Sequence, residues 1–570
     1  MKLFIALTLL LLLGLLIRNK HKPALLFGGL ATLYYVMDLI TFKEWSASYL
    51  NSSLLILILL LLVSLALEKT ILVEYFSKWI ITDRYRFSLL KLGVVTAAFS
   101  AFLNNTAVVA TLMGALQKNK HHMPSKLLIP LSYFALFGGT MTLVGTSTNL
   151  IVNSFVIENG LESLKMFDFF FVGACITFFG ITALLLVHPL LPAYKASDEK
   201  IEEHLIEAKV LPTSSLVGKS IKTNKLRNLE YLFLLEIQRG EKTISPVTPD
   251  ETIETGDRLV FSGDLQHIEV LKQFDGLLLG GDVDVIKLHL VDTIITPESS
   301  LIGQKVKEAN FRSKFDAAIV SLKRGSQNIS KIGESELQAG DRLVLAVGND
   351  FEQRDNLSKN FYLFSNIQTN QKFDPVKSFF IIASFLGIIL LSALGVVSLL
   401  KALIVLLVGF LAFKVLRIQD LKRRFPYEIM IIVGSSLAIS KVMISSGLGH
   451  DLASFIIQSF GMYGVYGSFI GVYLVTLFLT ELITNNAAAA LSFPVAFATA
   501  LALEVSPLPF IFAVAFGASA SFMIPYGYQT NLMVSSVGNY KTTDFLKIGW
   551  IISLVYSSVV LIAVPIFFPF

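Results

Sequence analysis

The sequence predicts an α-helical polytopic membrane protein. It reads as inverted repeats of five transmembrane spans plus one re-entrant hairpin each, with a cytoplasmic α/β insert of two tandem repeats. Three observations predict this. First, 54% of the 570 residues are hydrophobic and 16% charged, with a mean hydropathy of +0.67; a soluble domain carries about 25% charge. Second, residues 195–370 hold 22 Lys+Arg and 27 Asp+Glu, against 25 and 15 in all the rest, so a water-soluble insert divides two apolar halves. Third, the two halves share short motifs. This composition excludes a disordered chain and an ordinary soluble enzyme. The net charge of +5 gives no sign of nucleic-acid binding. The lone Cys175 excludes an intramolecular disulfide and a multi-cysteine metal site.

The chain opens MKLFIALTLLLLLGLLIRNKHK. Its basic cluster (Arg18, Lys20, Lys22) follows the apolar run and no small-residue cleavage site does, so it reads as a retained first helix. Apolar runs near 2–17, 24–42, 53–68, 126–157 and 167–193, then 376–395, 398–416, 427–447, 508–537 and 545–568, are long enough to span. Two more, 87–117 and 462–503, carry a polar break: FLNNTA at 102–107 and LITNNA at 482–487. Basic residues flank the first at both ends (Arg84, Arg86, Lys91; Lys118, Lys120), which puts both ends on the cytoplasmic side and makes it a hairpin that enters and returns. Counting onward, the second hairpin dips from outside, both termini lie outside, and the insert is cytoplasmic. The domains are then 1–194 and 371–570 for the membrane repeats, and 195–280 and 281–370 for the insert.

FLNNTAVVATLM at 102–113 is similar to LITNNAAAALSF at 482–493, and GTSTNLIV at 145–152 to GYQTNLMV at 527–534. A first half with an odd number of spans starts its copy from the opposite side, so the repeats are inverted, the architecture of a secondary transporter with its site near the midplane. A helix broken in hydrocarbon leaves N–H and C=O groups unpaired, and lipid cannot satisfy them, so the breaks face protein, ions or a cavity. Carbonyl ends and amides suit a hard cation; N–H ends suit an anion.

Ser100 and Asn104 are four apart, as are Thr480 and Thr484, so a helix would put each pair on one face. Asn105, Thr106, Asn485 and Asn486 follow at the turns. Gly145 and Gly527 break the next spans, with Pro525 reinforcing the second. Thr146, Ser147, Thr148 and Asn149 crowd the first break; Tyr528, Gln529, Thr530 and Asn531 crowd the second. The common alternative for a membrane Ser or Thr is back-bonding to its own helix or gluing helices together. Acidic residues within spans are few (Asp38, Glu68, Glu481), and Glu481, beside the second tip, reads as a cation ligand, a proton carrier or a packing partner.

On these motifs the chain resembles the divalent anion:sodium symporter family of the ion transporter superfamily. That family carries a Ser-Asn-Thr triplet at each hairpin tip, where this chain has Asn104-Asn105-Thr106 and Thr484-Asn485-Asn486. The family's Thr-Pro-Pro-Asn break stands here as Thr146-Ser147-Thr148-Asn149 and Tyr528-Gln529-Thr530-Asn531. The resemblance implies that Asn105 and Asn485 bind both sodium and substrate, that Thr106 and Asn486 face the anion, and that Ser100 and Thr480 are sodium ligands. With the neighbouring donors, the sodium-binding set is Ser100, Asn104, Asn105, Gly145, Asn149, Thr480, Thr484, Asn485, Gly527 and Asn531. The substrate-binding set is Asn105, Thr106, Thr146, Ser147, Thr148, Asn485, Asn486, Gln529 and Thr530. The family further implies elevator-like movement and a homodimer. A soluble insert is similar to that of its sulfate-permease branch.

The insert also repeats. LPTSSLVGKSIK at 211–222 is similar to TPESSLIGQKVK at 296–307, and ETGDRLVFSG at 254–263 to QAGDRLVLAVG at 338–348. Short apolar runs alternate with Gly-Asp turns, which predicts small units with a mostly β core. The copies resemble the TrkA-C (RCK-C) type regulatory domain, which implies a small regulatory ligand or a dimer contact; a purely structural role is the alternative. The GKS at 218–220 lacks the Gly a phosphate loop needs five residues earlier, where Thr213 stands.

The expected function is a sodium-coupled symporter for sulfate or a di- or tricarboxylate, multi-pass in the cell membrane. It would use Na⁺ as coupling ion, no cofactor and no nucleic-acid partner. Two alternatives are a cation/proton antiporter or arsenite exporter of the same superfamily, and an anion-sensing membrane receptor.

Overall fold

The structure, a computed structural model, describes residues 1–570 except 19–20, 118, 120, 195–204, 227–228, 230–231, 241, 245–246, 264–269, 280–289, 297–298, 326, 330–331, 349, 352–353, 355–356 and 364–372. Lys20, Lys118 and Lys120, and the expected domain boundaries at 195, 280–281 and 370–371, lie outside the described residues.

The chain divides into two compact units: Met1–Ala193 with Lys372–Val534 and Thr542–Phe570, and Tyr194–Gln371 with Ser535–Lys541. The first unit is helical. Its first ten helices are α1 (Lys2–Arg18), α2 (Pro23–Val36), α3 (Phe42–Tyr49), α4 (Ser52–Glu68), α5 (Leu72–Ile80), α6 (Tyr85–Ser100), α7 (Asn105–Gln117), α8 (Ser125–Gly139), α9 (Ser147–Glu158) and α10 (Phe170–Val187). After the insert, with its short α11 (Phe311–Phe315) and α12 (Leu357–Asn360), come α13 (Pro375–Ala393), α14 (Leu399–Ala412), α15 (Ile418–Arg424), α16 (Tyr427–Ser445), α17 (Leu448–Phe460), α18 (Gly464–Leu482), α19 (Asn485–Ala502), α20 (Leu508–Ala518), α21 (Gln529–Gly538) and α22 (Thr542–Phe567). Among the described residues seven helical stretches are long and apolar enough to cross a membrane, and Pro23–Val36, Leu399–Ala412 and Leu508–Ala518 are shorter apolar helices. The unit is that of a polytopic membrane protein. Its surface fits: Leu186, Phe178, Phe379, Phe380 and Ile566 are exposed apolar side chains on such helices, the reverse of a water-facing surface.

The expected run 24–42 ends early, at Val36, because Asp38 takes a positive φ of 56°. Thr41 and Glu44 then form a capping box that starts α3. Helix α17 was not legible as an apolar run; its polar residues include His450, Asp451 and Gln458, and the left-handed Gly447 (φ 76°) separates it from α16. In the interior, α6 packs on α8 and α18 on α20, α2 on α16 and α4 on α14, and α10 on α22.

The second unit holds two five-stranded antiparallel sheets. The first comprises β1 (Leu205–Val210), β2 (Leu232–Arg239), β3 (Lys242–Ile244), β4 (Arg258–Gly263) and β5 (Leu277–Leu279), ordered β3-β2-β4-β1-β5. The second comprises β6 (Leu290–Ile295), β7 (Ala317–Arg324), β8 (Gln327–Asn328), β9 (Arg342–Val347) and β10 (Phe361–Leu363), ordered β10-β6-β9-β7-β8. Read from opposite edges the two orders match strand for strand. Each Gly-Asp turn needs its glycine for a positive φ (88° at Gly256, 82° at Gly340). The following aspartate is buried and grips an arginine with both oxygens, Arg239 to Asp257 at 2.9 Å and Arg324 to Asp341 at 2.8 Å. That hydrogen bond from Arg239 to Asp257 raises the guanidinium's pKa above its ordinary value. Residues 218–226, with the GKS, form turns and a single bridge from Ser220 to Thr252.

Candidate functional site

Two junctions in the first unit combine a hairpin tip with a broken helix. At the first, α6 ends on Ser100 and α7 begins on Asn105. Ser100 Oγ donates to Asn105 Oδ1 at 2.6 Å, and both residues are buried. Because α6 ends there, Asn104 lies in the turn rather than above Ser100. It is exposed, and its Oδ1 accepts the Thr106 N–H at 2.9 Å. At the second, Thr480 Oγ1 lies 2.9 Å from Asn485 Oδ1 and 2.5 Å from the Ala518 carbonyl. Thr484 is the exposed residue that starts α19 and makes no side-chain cap bond. In both junctions the buried partner of the hydroxyl is therefore the asparagine five residues on.

The breaks run from 140 to 146 between α8 and α9, and from 519 to 528 between α20 and α21. In the first, the Thr142 hydroxyl donates to the Ala101 carbonyl and accepts the Gly145 N–H at 3.0 Å, while Asn149 Nδ2 donates to the Thr142 carbonyl at 2.9 Å. A Cβ on Gly145 would lie 2.5 Å from the Gly139 carbonyl oxygen, so only glycine fits that approach. In the second, Asn531 Nδ2 donates to the Ser521 carbonyl at 2.9 Å. A Cβ on Gly527 would meet Ser521 Oγ at 2.3 Å. Here Glu481 Oε1 accepts the N–H groups of Phe522 (2.9 Å) and Met523 (3.0 Å).

The junctions meet. Asn105 Nδ2 donates to the Tyr528 hydroxyl at 2.9 Å and Thr106 Oγ1 to Gln529 Oε1 at 3.1 Å. Ser147 Oγ donates to Asn486 Oδ1 at 2.9 Å, and Thr146 also pairs with the Tyr528 hydroxyl. Thr148 is buried, with its hydroxyl 3.5 Å from that of Thr146. Helices α7, α9, α19 and α21 therefore all begin at this place, with their N–H ends toward it, while α6, α8, α18 and α20 end beside it. Partial positive and partial negative poles lie side by side. The sequence carries no Lys or Arg at 92–117, 127–164 or 442–540, so the polar groups brought together here are helix ends, amides and hydroxyls.

The sequence did not point to Ser132, Tyr133 or Ser521. Ser132 Oγ lies 2.6 Å from Asn531 Oδ1 and 2.7 Å from Thr530 Oγ1, and the Tyr133 hydroxyl donates to the Phe522 carbonyl at 2.7 Å. Only their place in α8, amid apolar residues, could have drawn attention to the first two. Four buried atoms at the junctions have no hydrogen-bond partner: Asn149 Oδ1, Asn485 Nδ2, Ser521 Oγ and Glu481 Oε2. A buried polar atom left unpaired costs about 1–3 kcal/mol. Two of the three oxygens, on Glu481 and Ser521, lie near the C-terminal ends of α18 and α20, where carbonyl ends suit a hard cation.

Broken helices whose polar ends meet inside an apolar bundle define the class, a membrane transporter. Comparison with known proteins narrows it. Residues 5–517 match the citrate transporter family (CitMHS), and the chain belongs to that family; it is an anion transporter of the ion transporter superfamily. Over 94% of this chain and 96% of the relative, it is 28% identical to a Chlamydomonas reinhardtii protein named for regulation of the sulfur deprivation response. It is 27% identical to the Synechocystis uncharacterized transporter sll0640, over 91% and 89%. It is also 27% identical to sodium/sulfate cotransporter 1 of Chlamydomonas reinhardtii, over 62% of this chain and 42% of that one.

Proposed function

We propose that the chain is a sodium-coupled secondary active symporter for a divalent or multivalent anion, sulfate before a di- or tricarboxylate. The observation that carries this is the pairing at the two junctions: a buried hydroxyl–amide oxygen pair at each helix C-terminal side, next to four helix N-termini and no basic residue. In this reading sodium binds at Ser100, Asn105, Gly145 and Asn149, and at Thr480, Asn485, Gly527 and Asn531; Asn104 and Thr484 shape the turns. The two cations then complete the positive surroundings in which Asn105, Thr106, Thr146, Ser147, Thr148, Asn485, Asn486, Gln529 and Thr530 hold the anion. Sulfate is favoured by the name of the cotransporter relative.

The helix pairings support inverted repeats. Exchanging α2 with α14, α4 with α16 and α10 with α22 turns the α2–α16 contact into α14–α4 and the α10–α22 contact into itself. The hairpin-bearing part would move as a body between the two faces, in a homodimer, with the TrkA-C-like insert in the cytoplasm. Each cation moving down 100 mV contributes about 2.3 kcal/mol, and two beside a divalent anion cancel electrically, so a third charge is needed for voltage drive.

A second reading, an anion-sensing receptor, is favoured by the relative named for the sulfur deprivation response. One experiment separates the two. Labelled sulfate and succinate are offered to proteoliposomes with and without an inward sodium gradient. Symport predicts accumulation above equilibrium only with the gradient. Binding without accumulation fits the receptor, and accumulation indifferent to sodium contradicts the coupling.

A further inference from the structure

We propose that the basic turn between α14 and α16 is a binding surface for the headgroups of anionic phospholipids. The proposal goes beyond the transport reading, and its test uses neither the coupling ion nor the transported anion. Residues 413–426 hold five basic residues (Lys414, Arg417, Lys422, Arg423 and Arg424) and one acidic residue, Asp420. From Pro375 to His450 the sequence has one other acidic residue, Glu428. Lysines from other elements engage both carboxylates. Lys69, just after α4, reaches Asp420 at 2.7 Å, and Lys22, just before α2, reaches Glu428 at 2.6 Å. The acids of this stretch therefore do not balance the basic turn. Lys414, Arg417, Lys422 and Arg423 are exposed. Between and beside them stand exposed apolar side chains: Phe413 is 81% exposed, Ile418 64% and Tyr427 59%. Such interleaving suits the membrane interface, where apolar side chains enter the acyl boundary and cationic ones meet lipid charge. The arginines offer a planar fork to a phosphate and the lysines a point charge.

The other half of the molecule shows that the fold does not call for this charge. Exchanging α2 with α14 and α4 with α16 puts α3 at the place of α15. The two short helices start alike. In each, the N–H before the helix donates to an acid at the third helical position at 3.0 Å, Thr41 to Glu44 and Arg417 to Asp420. Yet residues 37–51 hold one basic and two acidic residues, and Trp45 and Tyr49 of α3 pack ring edge to ring face at 5.3 Å. The same cap thus serves an aromatic turn in one half and a basic turn in the other, so the charge answers to what the turn meets. In the orientation expected from the sequence, α15 follows an inward-running span. The leaflet on that side is the anionic one, and each Lys or Arg near its surface adds to the attraction. Basic residues there also direct insertion, but that role ends with insertion and gives the purified protein no preference among lipids.

The test is the thermal stability of the purified full chain, titrated with phosphatidylglycerol or with phosphatidylcholine. It compares wild type, K422Q/R423Q/R424Q and the charge-keeping K422R/R423K/R424K. Phosphatidylglycerol should raise the wild-type melting temperature and phosphatidylcholine should not. The half-stabilising phosphatidylglycerol concentration should rise at least about tenfold in the glutamine variant and stay near wild type in the charge-keeping one. High salt should weaken the wild-type response. An equal response in wild type and the glutamine variant overturns the proposal, as does a wild type that does not distinguish the two lipids. Glycerol phosphate that stabilises the wild type as well as phosphatidylglycerol does would mark a site for a soluble phosphate and overturn the lipid assignment. If the glutamine variant does not fold, the wild type decides: a phosphatidylglycerol response that high salt leaves unchanged overturns the proposal.

Discussion

The first and second junctions share a geometry and differ in chemistry. Each ends a helix on a buried hydroxyl, Ser100 or Thr480, and starts the next on an asparagine that receives it, Asn105 or Asn485, at 2.6 and 2.9 Å. Around that shared pair, Ala101 faces Glu481 across the repeat and Gly139 faces Ser521. The first break is tied by a hydroxyl to a carbonyl; the second by a carboxylate to two N–H groups. The difference teaches that the hydroxyl–amide pair is the part the two halves keep in common, while the tie that holds a break to its hairpin is open to different solutions.

The largest expected effect tests the shared part. Asn105→Ala or Asn485→Ala removes an amide from the middle of either junction. Each variant is expected to lose uptake by at least about 100-fold, as removal of a group made essential by geometry does, while still eluting as folded protein. Full transport in either would show that the junctions are not equivalent parts of one site.

A middle-sized effect tests the difference. Gly145→Ala drives a Cβ to 2.5 Å from a backbone carbonyl, whereas Gly527→Ala meets a hydroxyl at 2.3 Å that can rotate away. Overpacking against backbone costs about 1–3 kcal/mol. Thermal melts should therefore rank Gly145→Ala well below Gly527→Ala, with the latter near wild type in stability but weakened in its sodium response, since Ser521 Oγ must turn. Equal losses would erase the distinction between the two breaks.

The smallest effect concerns the bond between the junctions. Tyr528→Phe deletes the hydroxyl that accepts from Asn105 Nδ2 and leaves that N–H group without this partner, a cost of about 1–3 kcal/mol. Uptake assays should show a several-fold rise in half-saturating anion with a smaller change in maximal rate. An unchanged curve would remove Tyr528 from the site.

Much of this was legible in the sequence because it follows from local rules. Asn pairs inside apolar runs mark turns that cannot face lipid, and Gly145 and Gly527 mark where the next helices break. The Gly-Asp turns marked the two matched sheets. What was not legible depends on where α6 and α18 stop. Helical spacing put Ser100 above Asn104, but the helix ends on Ser100 itself, so the turn exposes Asn104 and buries Asn105. Ser132 and Tyr133 act on residues about 390 positions later, and no spacing rule reaches that far. Glu481 was noticed for its charge, yet its partners are backbone N–H groups of a break, which carry no residue identity to read. The short α3, α5, α15 and α17 escaped because each is too short or too polar to stand out as an apolar run.

At the centre of the fold's two halves, the tip of one touches the break of the other. Thr106 and Gln529, at 3.1 Å, and Ser147 and Asn486, at 2.9 Å, are the pairs to probe. In a Cys175→Ala background, T106C/Q529C and S147C/N486C should each be joined within one chain by a short thiol cross-linker, in protein that still elutes as folded. Folded protein in which neither pair can be linked would contradict that contact.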